Sequence, residues 1–152
     1  MMKSRACLFA CSITCLITFV LAFSPLPLQA ATLTSSDGKQ TKIGGIVWKW
    51  QRTAYNNDTR TEPPDSSHYT ILLMPEGHLS VRLDCNSGGG RYTLDGSSLI
   101  LELTHATMAA CPPDSLTQKF MKDLAAARIA FLRDGELYLD LMYDTGTMKF
   151  AR

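Results

Sequence analysis

The sequence predicts an α+β fold in which a curved antiparallel β-sheet of about seven to eight short strands wraps around one amphipathic helix. Apolar and polar residues alternate with a period of two in many short runs from residue 44 onward, and Pro-Glu-Gly and Asp-Gly turns separate several of these runs. A single later run has the spacing of a helix instead. A sheet curled around that helix would bury the apolar faces of both elements.

The first strands follow from this alternation. Ile46, Trp48 and Trp50 share one face of a strand. A continuous apolar run over 69–74, a turn at 75–77 and an alternating run over 79–83 then predict a hairpin.

The segment 53–67 contains Asn-Asn-Asp and Pro-Pro-Asp sequences, which are typical of loops. We interpret it as a tolerated surface insertion, and a partner surface formed by Tyr55, Asn56 and Arg60 is the alternative.

Residues 87–90 are interpreted as a glycine-rich loop in which glycine permits a positive φ beside the cysteine, with Asn86 capping the turn. A phosphate cradle is disfavoured, because no Lys-Ser/Thr pair or helix follows at once. Further short strands are predicted over 91–94, 99–103, 129–132, 137–141 and 148–150.

The helix is predicted to begin after two prolines, with Asp114 or Ser115 as its N-cap. Its apolar face consists of Leu116, Phe120, Leu124 and Ala127, and its polar face of Gln118, Lys119, Lys122 and Asp123.

Residues 1–30 have the composition of a signal peptide. Lys3 and Arg5 precede an apolar run over 8–23, and two prolines precede a cleavage site after Ala30. A transmembrane anchor and a lipid attached to Cys11 are the alternatives. We therefore expect a periplasmic or secreted protein with a flexible lead-in over 31–43 and one domain over 44–152.

Cleavage would remove 30 of the 152 residues and leave 122, the size of one ordinary domain. The whole chain has 15 Lys and Arg against 14 Asp and Glu, so loss of Lys3 and Arg5 gives a net charge of −1. This balance disfavours nucleic acid as a partner. We expect a monomer without a membrane span after cleavage.

Cys85 and Cys111 are the only cysteines outside the signal segment. An even pair in an exported chain predicts a disulfide, with two buried thiols as the alternative. Closing a loop between positions 26 apart would stabilise the fold by roughly 3 kcal/mol.

The surroundings of these cysteines resemble a known family. The motifs are Asp-Cys-Asn ending at Asn86, Gly-Arg-Tyr over 90–92, and Thr-Met-x-x-Cys from Thr107 to Cys111, after a tryptophan in the first strand. In this order they resemble the META domain, the family of HslJ-like bacterial envelope proteins. The resemblance implies a curved antiparallel sheet holding a helix and an envelope or stress-related role. It carries over no catalytic residues. Candidate binding or motif residues are Asn86, Arg91, Tyr92 and Thr107.

Three chemistries remain as alternatives. Because the turn at 75–77 would place His68 opposite Asp84, a zinc-type site of His68, His105 and the two cysteines is conceivable, although an oxidising compartment favours the disulfide. We therefore expect no metal and no cofactor.

Residues 87–92 resemble the Ser-Gly-x-x-Tyr loop of periplasmic lysozyme inhibitors with one extra residue. Catalysis is disfavoured, because no Gly-x-Ser-x-Gly elbow is present and pairing removes both thiols. The sequence therefore predicts a non-enzymatic envelope accessory or stress-associated protein that acts through protein or small-ligand contacts. An inhibitor of a peptidoglycan-cleaving enzyme and a metal-binding module are the competing classes.

Overall fold

The computed structural model describes residues 43–152, which form nine antiparallel strands and one α-helix. The elements in chain order are β1 (Val47–Tyr55), β2 (Arg60–Thr61), β3 (Tyr69–Met74), β4 (His78–Leu83), β5 (Asn86–Asp95), β6 (Ser98–Ala106), α1 (Thr117–Ala126), β7 (Ala127–Arg133), β8 (Glu136–Leu141) and β9 (Gly146–Ala151). The expected signal peptide, the residue Cys11, the cleavage site and residues 31–42 of the lead-in lie outside the described residues.

The sheet is closed, which corrects the expected open curved sheet. The strand order is β2-β1-β3-β4-β5-β6-β7-β8-β9, and β1 also pairs with β9, for example Trp50 with Phe150 and Thr53 with Met148. Eight strands therefore form a barrel, and the two-residue β2 extends it beside β1. Closure pairs both edges of the sheet, which removes the exposed edges that an open sheet would present.

The barrel interior is packed with large side chains. Trp48, Trp50 and Phe150 are fully buried, and Phe120 of α1 joins them, with its ring centroid 4.9 Å from that of Trp50. Along α1, Phe120 and Leu124 are buried whereas Lys119 and Lys122 are exposed. The helix therefore contributes one face to the core and leaves the other in solvent. The predicted apolar face at Phe120 and Leu124 and the predicted polar face at Lys119 and Lys122 are therefore confirmed.

Strand pairing around the barrel is sparsest between β6 and β7, the two strands that α1 connects. β6 and β7 share one register pair, Ser98 with Ile129, and a hydrogen bond from the Ala130 amide to the Ser97 carbonyl at 2.8 Å. The intervening α1 contacts both β6 and β4. Because consecutive strands are antiparallel, their connections alternate between two ends of the barrel. The turn end carries the turns near 75–77, 96–97 and 134–135, and the helix end carries α1 and the connections near 84–85 and 142–145.

The glycines at 88–90 do not form the predicted loop. They lie inside β5, which begins at Asn86, and none has a positive φ. A Cβ at Gly88 would lie 2.7 Å from the carbonyl oxygen of His105, and one at Gly90 would overlap the carbonyl oxygen of Glu102. The pairing of β5 with β6 also shifts register between Gly89 and Gly90. Close approach of β6 at this irregularity, rather than a turn, therefore requires glycine.

Three other boundaries differ from expectation. The predicted loop over 53–67 is partly strand, since β1 continues to Tyr55 and β2 pairs with it. Ile43, assigned to the lead-in, is buried and accepts a hydrogen bond from Trp48 Nε1 at 2.9 Å. The N-cap position of α1 is Leu116, although the Ser115 hydroxyl accepts a hydrogen bond from the Thr117 amide at 3.4 Å.

Within residues 43–152, no helix is long and apolar enough to cross a bilayer.

Candidate functional site

Asn86 fastens the chain that follows β6 to the start of β5. The residue is 7% exposed, and its Nδ2 donates to the Ala109 carbonyl at 3.0 Å. Its Oδ1 accepts from the Ala109 amide at 2.8 Å and from the Thr107 hydroxyl at 2.8 Å. The side-chain amide thus imitates one rung of a β-ladder, and the amide and carbonyl of Ala109 fix its orientation. We call residues 107–111 the tethered segment.

The predicted disulfide between Cys85 and Cys111 is present, with a Cα–Cα distance of 5.6 Å. It is the second bond that holds the tethered segment in place. A third consists of the Ser87 amide donating to Thr107 Oγ1 at 3.0 Å and the Thr107 amide donating to the Ser87 carbonyl at 2.8 Å. Cys85 is exposed and Cys111 is half-buried. The segment is therefore held by both covalent and hydrogen bonds next to solvent.

The first turn of α1 is fixed by two contacts with the barrel. The Thr117 hydroxyl donates to the Leu83 carbonyl at 2.8 Å, and the Leu116 amide donates to the Tyr69 hydroxyl at 2.9 Å. The second bond provides a partner for one of the amides that a helix start leaves unpaired. The helix and the tethered segment are therefore both anchored, and a gap remains between them.

That gap, which we call the α1 cleft, has a volume of about 440 Å³. Small-ligand sites fall in the same size range, about 300–1,000 Å³. Met108 is 88% exposed and Met121 is half-buried. The lining consists of uncharged residues: Leu83, Asn86, Ala106, Thr107, Met108, Ala109, Cys111, Pro112, Ser115, Thr117, Gln118 and Met121. The cleft is suited to a neutral, largely apolar group and offers no counter-charge for an ion.

His68 and Asp84 meet beside this site, as the hairpin register predicted. His68 Nδ1 lies 3.2 Å from Asp84 Oδ1. A hydrogen bond from Ser115 and then the contact with His68 lower the pKa of Asp84, against its partial burial. Ser115 contacts Asp84 and Thr117, so the order of contacts is not that of a Ser-His-Asp relay.

Only two of the four candidate motif residues take part in the bonds that hold the tethered segment. Asn86 and Thr107 contact each other, whereas Arg91 is exposed on the outer face opposite Glu102. Tyr92 is 7% exposed and belongs to the core. Residues 87–92 are strand and Tyr92 is buried, so the inhibitor-like loop that was one alternative does not form.

The conceived zinc ligands do not come together. The two cysteine sulfurs are bonded to each other, and the ring of His105 lies against Gly89, with its Nδ1 3.1 Å from the Thr104 hydroxyl. In the part of the chain that the structure describes, no three His, Cys, Asp or Glu side chains form a cation-binding group.

Sequence reasoning missed one polar pair at the helix end. Asp123 was predicted to lie on the polar face of the helix. It is 5% exposed and accepts a hydrogen bond from the Tyr55 hydroxyl at 2.6 Å. Burial and this carboxylate raise the pKa of Tyr55 to about 12. Lys119 Nζ lies 4.8 Å from the centroid of the Tyr55 ring. The position of Asp123, three residues after Phe120, was the available signal, because residues three apart on a helix share a face.

Comparison with known proteins identifies the fold. The family model described as "META domain" matches residues 45–152. The chain belongs to the META-domain family. No functionally curated protein matches it.

Two solved structures resemble this META-domain protein in fold alone. A protein from Burkholderia xenovorans, determined by NMR, has a TM-score of 0.58 and 18% identity, over 74% of this chain and 85% of that one. A DUF4847-family protein from Bacteroides vulgatus, determined by crystallography, has a TM-score of 0.55 and 15% identity, over 75% of this chain and 96% of that one.

Proposed function

We propose that this META-domain protein is a non-enzymatic, exported accessory of the bacterial envelope, and that it acts by holding a neutral apolar group in the α1 cleft. The observation that carries the proposal is the cleft itself. It combines a volume of about 440 Å³ with an uncharged lining and an anchored wall on each side. The export part rests on the signal-like residues 1–30 and on the disulfide, which persists in oxidising compartments.

Methionine makes a protein partner the favoured source of that group. Met108, at 88% exposure, is unusually accessible for a large apolar residue, and Met121 lines the same cleft. Methionine is flexible and polarizable, and surfaces rich in it adapt to varied apolar side chains. The bound group is therefore an aliphatic or aromatic side chain of an envelope protein, held between the helix and the tethered segment.

Site-specific photocrosslinking in the native bacterium tests this proposal. A photoreactive amino acid replaces Met108 in one variant and Tyr143 in the control, because Tyr143 is 89% exposed but does not line the cleft. We expect one discrete partner adduct from position 108 and none from position 143. Adding Met121→Glu places a charge in the cleft and should abolish the adduct.

The captured partner is then purified, and its binding to the protein with and without Met121→Glu is measured. A loss of affinity of at least tenfold supports the proposal. Equal crosslinking from positions 108 and 143, or an adduct unaffected by Met121→Glu, contradicts it. If position 108 yields no protein adduct but native mass spectrometry finds a copurifying small apolar compound lost in Met121→Glu, the ligand is a small molecule and not a protein side chain.

A further inference from the structure

We propose that the Cys85–Cys111 disulfide is a thiol-exchange site, at which the thiolate of an exported partner attacks the Cys85 sulfur and Cys111 departs. This activity goes beyond the proposed binding function and does not depend on it. It rests on the exposure of the disulfide, on the amide group beside its sulfurs, and on the second set of bonds that holds the tethered segment.

Accessibility selects Cys85 as the sulfur that is attacked. Cys85 is exposed, whereas Cys111 is half-buried beside the first residues of α1. Exchange requires a thiolate to approach one sulfur along the line of the bond while the other sulfur leaves. Because Cys85 is the more exposed residue, a thiolate reaches its sulfur more readily than that of Cys111.

The surroundings of Cys111 favour its departure as an anion. Asn86 Nδ2 lies 3.0 Å from the Cys111 sulfur and 3.5 Å from the Cys85 sulfur. Ala109 fixes this amide with its donor toward the sulfurs, as the bonds at 3.0 and 2.8 Å show. A hydrogen bond to a developing thiolate stabilises it, and easier departure speeds exchange.

The start of the helix adds to this effect. The Thr117 hydroxyl gives its proton to the Leu83 carbonyl, and its oxygen lies 4.0 Å from the Cys111 sulfur. Thr117 is the first residue of α1, so Cys111 lies near the helix end that favours negative charge.

The exchange requires no external oxidant. The partner's thiolate forms a bond to the Cys85 sulfur, the Cys85–Cys111 bond breaks, and its electron pair leaves on Cys111. In the reverse step, the Cys111 thiolate attacks the Cys85 sulfur and expels the partner. If the partner has a second thiol, that thiol displaces Cys85 from the mixed disulfide, so the partner becomes oxidised and both cysteines end reduced.

The tethered segment makes the exchange reversible. The bonds of Asn86 to Thr107 and Ala109 do not involve the disulfide, so they hold Cys111 near Cys85 after the bond breaks. The protein therefore keeps the returning thiolate in place, which distinguishes this pair from a disulfide that only closes a loop.

The test uses oxidised protein expressed from the full coding sequence. It is incubated with glutathione or with a single-cysteine peptide, quenched in acid, alkylated and analysed by peptide mass spectrometry. We expect mixed disulfide on Cys85 to exceed that on Cys111 at least fivefold, at a rate at least tenfold above that of the urea-unfolded chain. The faster of the two probes indicates whether the partner is a small thiol or a polypeptide. Equal modification of both sulfurs, or a rate below that of the unfolded chain, overturns the proposal.

Two variants separate leaving-group stabilisation from simple exposure. Asn86→Asp keeps the size of the side chain but removes the donor and adds a negative charge, so the exchange rate should fall about tenfold. Tyr143→Phe changes an 89% exposed side chain outside the α1 cleft and the tethered segment, so the rate should stay within twofold. An unchanged rate in folded Asn86→Asp overturns the proposal. If near-ultraviolet circular dichroism shows that this variant does not fold, the preference for Cys85 in the unaltered protein decides.

Discussion

The two ends of the barrel are built by different means. At the turn end, neighbouring strands are joined by short turns near 75–77, 96–97 and 134–135, and each turn connects residues close in sequence. At the helix end, side chains bond to groups distant in sequence: Tyr55 to the Asp123 carboxylate, Asn86 to the Ala109 backbone, and Tyr69 to the Leu116 amide. Local sequence therefore determines the turn end, whereas long-range contacts determine the helix end.

The buried polar residues stabilise the helix end of the barrel. Among residues 43–152, the polar or charged side chains that are buried are Thr53, Asn86 and Asp123. Each is hydrogen-bonded, to Trp50, Ala109 and Tyr55 respectively. Unpaired buried polar groups destabilise a fold, so these bonds hold the helix end in one arrangement. The cleft and the disulfide, which carry both proposals, lie at this end.

The largest expected effect comes from removing the helix side chain that fills the barrel. Phe120 is fully buried against Trp50, Tyr69 and Phe150. Phe120→Ala should lower the free energy of unfolding by about 3–5 kcal/mol, because it removes apolar contact and leaves a cavity. Urea denaturation measures this change. Lys122→Ala, at an exposed position, is the control, and it should change the free energy of unfolding by no more than about 0.5 kcal/mol. If Phe120→Ala lowers the free energy of unfolding no more than this control does, α1 is not part of the core.

Loss of the disulfide is the next largest effect. Replacing both Cys85 and Cys111 by Ser should lower the free energy of unfolding by about 3 kcal/mol, because the unfolded chain regains the freedom of a loop between positions 26 apart. The tethered segment should remain attached through Asn86, which the amide chemical shift of Ala109 reports by NMR. If Ala109 shifts to a random-coil value, the hydrogen bonds alone do not hold the segment.

A smaller effect separates the barrel wall from the turn end. Gly90→Ala should destabilise by about 2 kcal/mol, since its Cβ would overlap the Glu102 carbonyl. Gly96 lies in a turn with a φ of +58° and has open space around it. Gly96→Ala should therefore lower the free energy of unfolding by only about 1 kcal/mol, because of backbone strain. Thermal and urea unfolding of both variants provide the measurement, and the reverse order would contradict the close approach of β5 and β6.

The smallest effect is that of Tyr55→Phe, which removes the hydrogen bond to buried Asp123 and should destabilise by about 1 kcal/mol at neutral pH. Since folding raises the pKa of Tyr55 from 10.0 to about 12, its contribution is present below pH 10 and is lost as the pH rises to about 12. Stability should therefore fall over this range in the unaltered protein, and less so in Tyr55→Phe. Tyr143→Phe, at an 89% exposed position, is the control and should retain the full pH dependence.

The sequence identified what local patterns encode. Alternation placed Trp48 and Trp50 inside, the turn at 75–77 gave the register that brings His68 to Asp84, and the cysteine count gave the disulfide. It did not reveal the closure of the barrel, because the pairing of Trp50 with Phe150 joins the first strand of the domain to the last one in the sequence. It also misplaced the glycines at 88–90, whose reason is the nearby backbone of β6. Of the site, Asn86 and Thr107 were found from the motifs, but the cleft depends on where α1 packs.

Binding of neutral apolar groups in the α1 cleft can be followed by NMR titration of the ¹⁵N-labelled protein. N-acetyl-leucinamide is the probe and N-acetyl-glutamate the charged control. We expect the first compound to shift the amides of Ala106, Thr117 and Met121, which line the cleft, and to leave that of Thr93 unchanged. The second compound should shift none of the four. Equal responses to both compounds, or shifts centred on Ser80 and Arg82 on the outer face of β4, would contradict this expectation.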